Sequence, residues 1–303
     1  MKKPNFIIVL ACLVLIAGVL SFSQEGKADR ATVSFSDPSK PGFIELSVHR
    51  GSITVKGYNG KEVIIEARAV TRKLKDRNEE AILREFARTA RTRARAEVTD
   101  EEKKEKKTEG MRQIQTPLAT GLSVEEEDNK MEVDVSSVRQ AVDLTLQVPY
   151  STSLELSAHT DGDITVENIA GDIEVNHHAG ALNLTGISGT VVAHTFSGDI
   201  NVTFAKVTPD KPMSFSNWAG DIDVTLPSSV KATVKMKSEH GEIYSDFDIQ
   251  IDTSVQKVEK DERLEGGQYK ISFDKYIVGK INGGGPDFVF NTYAGDILIR
   301  KTK

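Results

Sequence analysis

Apolar and polar residues alternate along this chain in short bursts, and the bursts recur at a fixed interval. Glycines stand at 162, 171, 180, 189 and 198, nine residues apart, and open the units GDITVENIA, GDIEVNHHA, GALNLTGIS, GTVVAHTFS and GDINVTFAK. An apolar residue follows each glycine by two (Ile164, Ile173, Leu182, Val191, Ile200) and another by four (Val166, Val175, Leu184, Ala193, Val202). The position seven after the glycine is also largely apolar, with Ile169, Ile187 and Phe196. Alternation with period two is the mark of a strand with one buried face. The glycine supplies a turn, and the Asp or Ser beside it can bond nearby backbone. The same register occurs earlier, in GFIELSVHR, GSITVKGYN and GKEVIIEAR from Gly42, Gly51 and Gly60, and later at Gly220, Gly241 and Gly295.

A nine-residue strand and turn cannot bury its apolar face alone, so the units must stack. Two units make one rung of about 18 residues, and the longer spacings from Gly198 to Gly220 to Gly241 read as rungs with longer loops. The expected fold is all-β: a β-solenoid or β-helix of stacked strand-turn repeats, with Ile164, Leu182, Ile200 and Ile222 in one interior ladder. Six or seven rungs at about 4.8 Å each give a stack roughly 30 Å long.

Three stretches depart from the repeat. Residues 72–122 form a charged insertion in which Asp76 to Phe86 carries the cap and spacing of a helix start, and Glu101 to Glu109 has too few apolar residues to pack. The strands resume after it: SVEEEDNKMEVDV predicts a hairpin around Asp128-Asn129-Lys130, while AVDLTLQVP and SLELSAH alternate cleanly. Residues 252–269 read as a loop. The organisation expected is a leader at 1–23, solenoid strands at 31–71, the insertion at 72–122, and the main solenoid at 123–303.

The leader changes the biological setting. Lys2 and Lys3 precede an uncharged run from Phe6 to Phe22, and Ser21 and Ser23 place small residues before Gln24, as signal peptidase requires. An uncleaved anchor is the alternative. The single cysteine, Cys12, lies inside that run, so a mature chain has no disulfide, thiolate metal site or thiol nucleophile. Composition, with 38% hydrophobic, 6% aromatic and 28% charged residues, suits a soluble all-β protein with a thin core better than an enzyme built around a thick one. The net charge of −6, which loss of the two leader lysines takes to −8, argues against nucleic acid as a partner.

The run LTLQVPYSTSLELSAHTDGDITVENIAGDIEV, the later GDIDVTLPSSVKATVKMKSEHGEI, and above all INGGGPDFVFNTYAGDILIRK resemble the bacterial putative-adhesin domain family. The resemblance covers 145–303 well and 40–70 more loosely. It implies an exported β-solenoid at the cell surface or in the periplasm, without enzymatic activity, and it carries no catalytic residues. The insertion at 72–122 falls outside it.

Candidate chemistry is weighed against the repeat itself. Asp163, Asp172, Asp199, Asp221 and Asp296 each follow a turn glycine and could form a carboxylate column. Calcium-binding nonapeptides need several glycines per unit, so these are read as turn formers. A carbohydrate-active β-helix enzyme would need two carboxylates across a cleft. His178, at the seventh position, is expected in the core and His177 in solvent, without the further ligands a zinc site requires. Trp218 and Tyr293 share the register of Phe196 and are expected to pack in the core or a cap. Arg84, Arg88, Arg91 and Arg95 lie on one face of a helix if one forms, as a contact for an anionic surface or partner. Between Arg72 and Arg95 there are nine basic and four acidic residues. The reading is a non-enzymatic, adhesin-like binding or structural protein of the envelope, with no cofactor. Its partner would be an envelope protein, polysaccharide or anionic surface, and membrane contact would be peripheral or through an uncleaved leader. A carbohydrate-active enzyme and a periplasmic sensing or regulatory scaffold are the alternatives.

Overall fold

The computed structural model describes residues 28–70, 120–137, 140–252, 257–261, 269–273 and 276–302. Every regular element among them is a strand. The helix expected from Asp76 and the leader lie outside the described residues.

The strands before the interval at 71–119 are β1 (Asp29–Ser34), β2 (Phe43–Val48), β3 (Ile53–Tyr58) and β4 (Glu62–Val70). After it come β5 (Leu122–Glu127), β6 (Lys130–Val135), β7 (Ala141–Pro149), β8 (Ser153–Asp161), β9 (Ile164–Glu167), β10 (Ile173–Ala179) and β11 (Leu182–Ile187). The middle of the chain gives β12 (Val191–Ser197), β13 (Ile200–Phe204), β14 (Met213–Ala219), β15 (Ile222–Leu226), β16 (Ala232–Ser238) and β17 (Ile243–Ser245). The rest are β18 (Gln250–Asp252), β19 (Lys257–Asp261), β20 (Tyr269–Phe273), β21 (Ile277–Ile281), β22 (Asp287–Ala294) and β23 (Ile297–Lys301).

Successive nine-residue units fall alternately into two sheets. One, sheet A, has the order β1-β4-β7-β3-β9-β11-β13-β15-β23-β17, and the other, sheet B, the order β18-β21-β16-β22-β14-β12-β10-β8-β2-β6-β5. Each rung is therefore one strand of each sheet, and neighbouring rungs pair in parallel, as in Leu182↔Ile200 and Ile173↔Val191. The expected interior ladder is present: Ile164, Leu182, Ile200 and Ile222 are in register and buried, and Ile53 and Ile297 extend it. Its counterpart in sheet B includes Ile44, Leu154, Ile173 and Val191. Burial on one face and exposure on the other follow directly from the alternation.

The turn glycines are fixed by the stacking. At Gly198, φ is +124°, and a Cβ would meet the carbonyl of Gly180 on the rung below. No L side chain fits so close an approach, whereas glycine adopts the conformation freely.

Four expectations on architecture need correction. There are eight rungs among the described residues rather than six or seven, and they do not stack in chain order. Ile222 pairs with Ile297, and Ile243 lies beyond it, so residues 287–301 are tucked between the rung at 213–226 and the rung at 232–245. The spacing from Gly220 to Gly241 thus joins rungs that are not neighbours. The other end does the same: β2 and β3 lie between the β6/β7 rung and the β8/β9 rung. The unit beginning at Gly60 is not a rung either. Its apolar residues Val63, Ile65 and Ala67 fall on odd offsets, and β4 runs antiparallel to β7 with β1 antiparallel outside it. Sheet B ends likewise in the antiparallel β5, whose hairpin with β6 turns through Asp128 and Asn129 at φ 51° and 65°. At its opposite end lie β21 and β18, both antiparallel. The stretch read as a loop at 252–269 contributes β19, which pairs with β20.

Candidate functional site

The carboxylates that follow the turn glycines have structural partners. Asp199 Oδ1 accepts the backbone N–H of Asp221 at 2.9 Å, Asp221 Oδ1 accepts that of Asp296 at 2.8 Å, and Asp296 Oδ1 accepts that of Glu242 at 2.8 Å. Asp163 does the same for Ala181 at 3.0 Å. The bonds run to the next rung rather than within the residue's own turn. Each Asp ties one rung to its neighbour through a donor the sheet ladder leaves free. Asp172 holds the N–H and hydroxyl of Thr190 and an ion pair with Lys211 at 2.8 Å. These bonds outweigh its partial burial and draw its carboxyl below the usual range. Among the described residues no group of three or more His, Cys, Asp or Glu is placed to hold a metal ion.

The two ends of each sheet B strand bear on the histidines. In the sheet A units that open at Gly162 and Gly180 the residue seven after the glycine turns inward, and Ile169 and Ile187 are buried; in those at Gly198 and Gly220 the buried residue is six after it, Phe204 and Leu226. In sheet B units the seventh position faces out, and the residue before it faces in. The expectation for His177 and His178 is therefore reversed. His177 is buried, 4% exposed, while His178 is exposed. Neither ring nitrogen of His177 has a hydrogen-bond partner. Burial pushes its imidazole pKa down, and the adjacent backbone of Gly162 and the Asp163 carboxylate offset this only in part. His177 opens a buried polar row that continues through Thr195, Asn217 and Thr292. Asn217 Nδ2 donates to the carbonyls of Gly220 at 2.8 Å and Gly198 at 3.3 Å, which seats two of the turns.

The outward position carries the aromatic residues expected in the core. Phe196 and Trp218 are each 51% exposed and Tyr293 40%. They form one column with His178 across four neighbouring rungs. His178 stacks on Phe196 at 5.1 Å between ring centroids, Phe196 on Trp218 at 6.3 Å, and Trp218 on Tyr293 at 4.2 Å, all within 9° of parallel. His240 closes one end against Tyr293, and His159 and His49 prolong the column beyond His178. Because the rings lie face to face along the stack, their edges point to solvent. A groove of about 320 Å³ runs beside the rings, with His194, Ser216, Asn291 and Lys237 on its far wall. Its lining holds one carboxylate, Glu239. The local signal for this ridge was weak, since a polar residue six after the glycine occurs in both sheets, as His177 and Thr195 in sheet B and Asn168 in sheet A. Arg84, Arg88, Arg91 and Arg95 lie outside the described residues.

The paired parallel sheets, the glycine-lined corners and the outward ridge define a two-sheet β-solenoid. The chain belongs to the Toastrack DUF4097 family, whose model matches residues 27–272. Among solved structures it is similar to a putative cell adhesion protein from Clostridium sporogenes, at 12% identity and a TM-score of 0.44, covering 91% of this chain and 100% of that one. A putative adhesin from Bacteroides fragilis is 9% identical with a TM-score of 0.24, covering 91% and 97% of the two chains. One from Parabacteroides merdae is 8% identical with a TM-score of 0.25, covering 92% and 97%. These likenesses are too distant to carry an argument about ligand or chemistry. Comparison with curated proteins finds no match.

Proposed function

We propose that the protein is an exported, non-enzymatic binding module of the bacterial cell envelope, adhesin-like, acting through the outer ridge of sheet B. The observation that carries this reading is the half-exposed column of Phe196, Trp218 and Tyr293 on the sheet's outward face. Aromatic residues held in fixed register on a rigid sheet offer a large contact area at little cost in side-chain entropy, as in protein interfaces. Their faces are covered by one another and their edges are free, which suits an apolar protein surface better than the flat face of a sugar ring. The groove beside them lacks the pair of carboxylates that glycoside hydrolysis uses. The leader supports delivery to the periplasm or cell surface, and Arg84, Arg88, Arg91 and Arg95 are proposed as a second contact, for anionic envelope polymer or lipid.

Site-specific photo-crosslinking in the envelope tests the reading. A crosslinking residue at Tyr293 is expected to yield protein adducts, and one at Asn183, on the outer face of sheet A, is expected to yield none. Equal yields from the two positions, or none from Tyr293, would refute it.

A further inference from the structure

Charge on the outer face of sheet B is divided about its middle. Glu125, Glu132, Glu45, Glu155 and Glu174 stand in register on five successive strands, from β5 to β10. Like charges directly opposite one another destabilise a sheet. Among the described residues the ion pair to this row is that of Lys130 with Glu45, at 2.7 Å. Beyond β10 the same row turns apolar and then basic: Val192, Ser214, Val289 and Lys235 follow, with Lys237 one position along β16. Val192 is 41% exposed. Strand β12, which carries Val192 and Phe196, is the sixth of the eleven strands, so the apolar centre lies midway between the acidic and basic ends.

From this arrangement we infer that the protein partner of the ridge is a second copy of this chain, docked face to face about a two-fold axis running along β12. The inference rests on the ridge being a binding surface. A two-fold axis in that direction reverses the order of the strands, so β10 lies over β14, β8 over β22 and β2 over β16 of the other copy. Phe196 then meets Phe196 of the second copy, and Val192 meets Val192. His178 falls over Trp218 of the second copy and Glu45 over its Lys235, with Glu155 within reach of its Lys235 and Lys237. In each copy Lys235 is paired with Asp287 in an exposed pair, which contributes little and can be exchanged, and Lys237 with Glu239 in a partly buried one. The alternative axis, along the stack, would set the glutamate row against itself. From β2 to β16 the shared face is roughly 30 Å by 17 Å, which is on the order of 1,000 Å² for the two copies together. That is the lower end of specific interfaces, so a weak dimer is expected, its strength set by the quality of the contacts rather than by area.

Sedimentation equilibrium of the purified exported chain tests the inference. The wild type is expected to dimerise, and Phe196→Ser, a change at an exposed side chain, to weaken dimerisation at least tenfold without altering the circular dichroism. The double variants Glu45→Lys/Glu155→Lys and Lys235→Glu/Lys237→Glu should each be monomeric alone, because each sets like charges opposite one another. Mixed together they should form a one-to-one heterodimer, which only the strand-reversing arrangement explains. A wild type that stays monomeric up to about 1 mM, or a mixture that fails to associate, overturns the inference. So does a crosslinker at Glu155 that joins only to other parts of its own chain, which would give the face to an intramolecular occupant. If the purified chain is monomeric while Tyr293 still crosslinks to envelope proteins, the ridge remains a binding surface and only the identity of its partner fails.

Discussion

Replacing Ile200 and its neighbour Asp199 separates the two kinds of bond that join the rungs. Ile200 is fully buried between Leu182 and Ile222 in the sheet A ladder. Ile200→Val removes one methylene and should cost about 0.5–1.5 kcal/mol, and Ile200→Ala about 2–5 kcal/mol, because the rungs on either side cannot close over the space. Ile200→Asp would bury a charge with no partner and should cost more still. Asp199 is exposed and contributes one hydrogen bond, to the N–H of Asp221 at 2.9 Å. Water can take over that donor, so Asp199→Ala should cost about 0.5–1.5 kcal/mol. Asp199→Asn, which keeps a carbonyl oxygen in place, should cost less. Urea unfolding reads the series, with Trp218, the single tryptophan, as fluorescence probe and far-ultraviolet circular dichroism as the second. The two transitions must coincide, since stacked repeats can unfold in parts. Equal losses for Ile200→Ala and Asp199→Ala would show that the carboxylate ladder, and not apolar burial, holds the rungs, and would refute the reasoning.

Three further outcomes are expected. His177 is buried with its pKa depressed, so below about pH 6.5 the unfolded chain binds a proton that the folded one resists, and stability falls as pH drops, by up to about 1.4 kcal/mol per unit for one group. His177→Thr, which copies Thr195 on the next rung, should flatten that slope; urea midpoints measured between pH 5 and 8 that keep the wild-type slope would contradict it. Mass spectrometry of the exported protein should find Gln24 at its N-terminus, and a chain that retains Lys2 and Lys3 in the membrane would mean a signal anchor. Replacing Arg84, Arg88, Arg91 and Arg95 with Gln should weaken salt-sensitive sedimentation with anionic vesicles, and unchanged binding would leave these arginines as an ordinary solvated face.

The interior of the rungs was legible because glycine spacing and period-two alternation leave a single register that buries Ile164, Leu182, Ile200 and Ile222 together. The order of the rungs was not. Gly220 followed by Gly241 has the same local signature whether the two units touch or are separated by residues 287–301, and only pairing over long distances decides between them. The outward ridge was hidden in the sequence for a related reason. Taking all nine-residue units as equivalent places His178, Trp218 and Tyr293 with Ile169 and Ile187, although the two sets lie in different sheets and face opposite sides. The row of glutamates could be seen only once the strands were in order, since Glu45 and Glu155 are 110 positions apart in the chain yet adjacent in space.

The placing of residues 287–301 between two other rungs governs how this protein can be made. Strands β14 and β15 find their partners in a segment that follows β16 and β17 in the chain, so the rung at 232–245 has no neighbour to dock on until that later segment arrives. Contacts across such separations are slow to form, because loop closure must precede the burial that rewards it. During synthesis the growing stack therefore has an open, hydrogen-bonding edge until residue 301 is delivered, and an edge of that kind recruits other chains. A chain stopped just before Asp287 would lose an inner rung rather than an end one. It should be removed or aggregate, not persist as a slightly shorter solenoid.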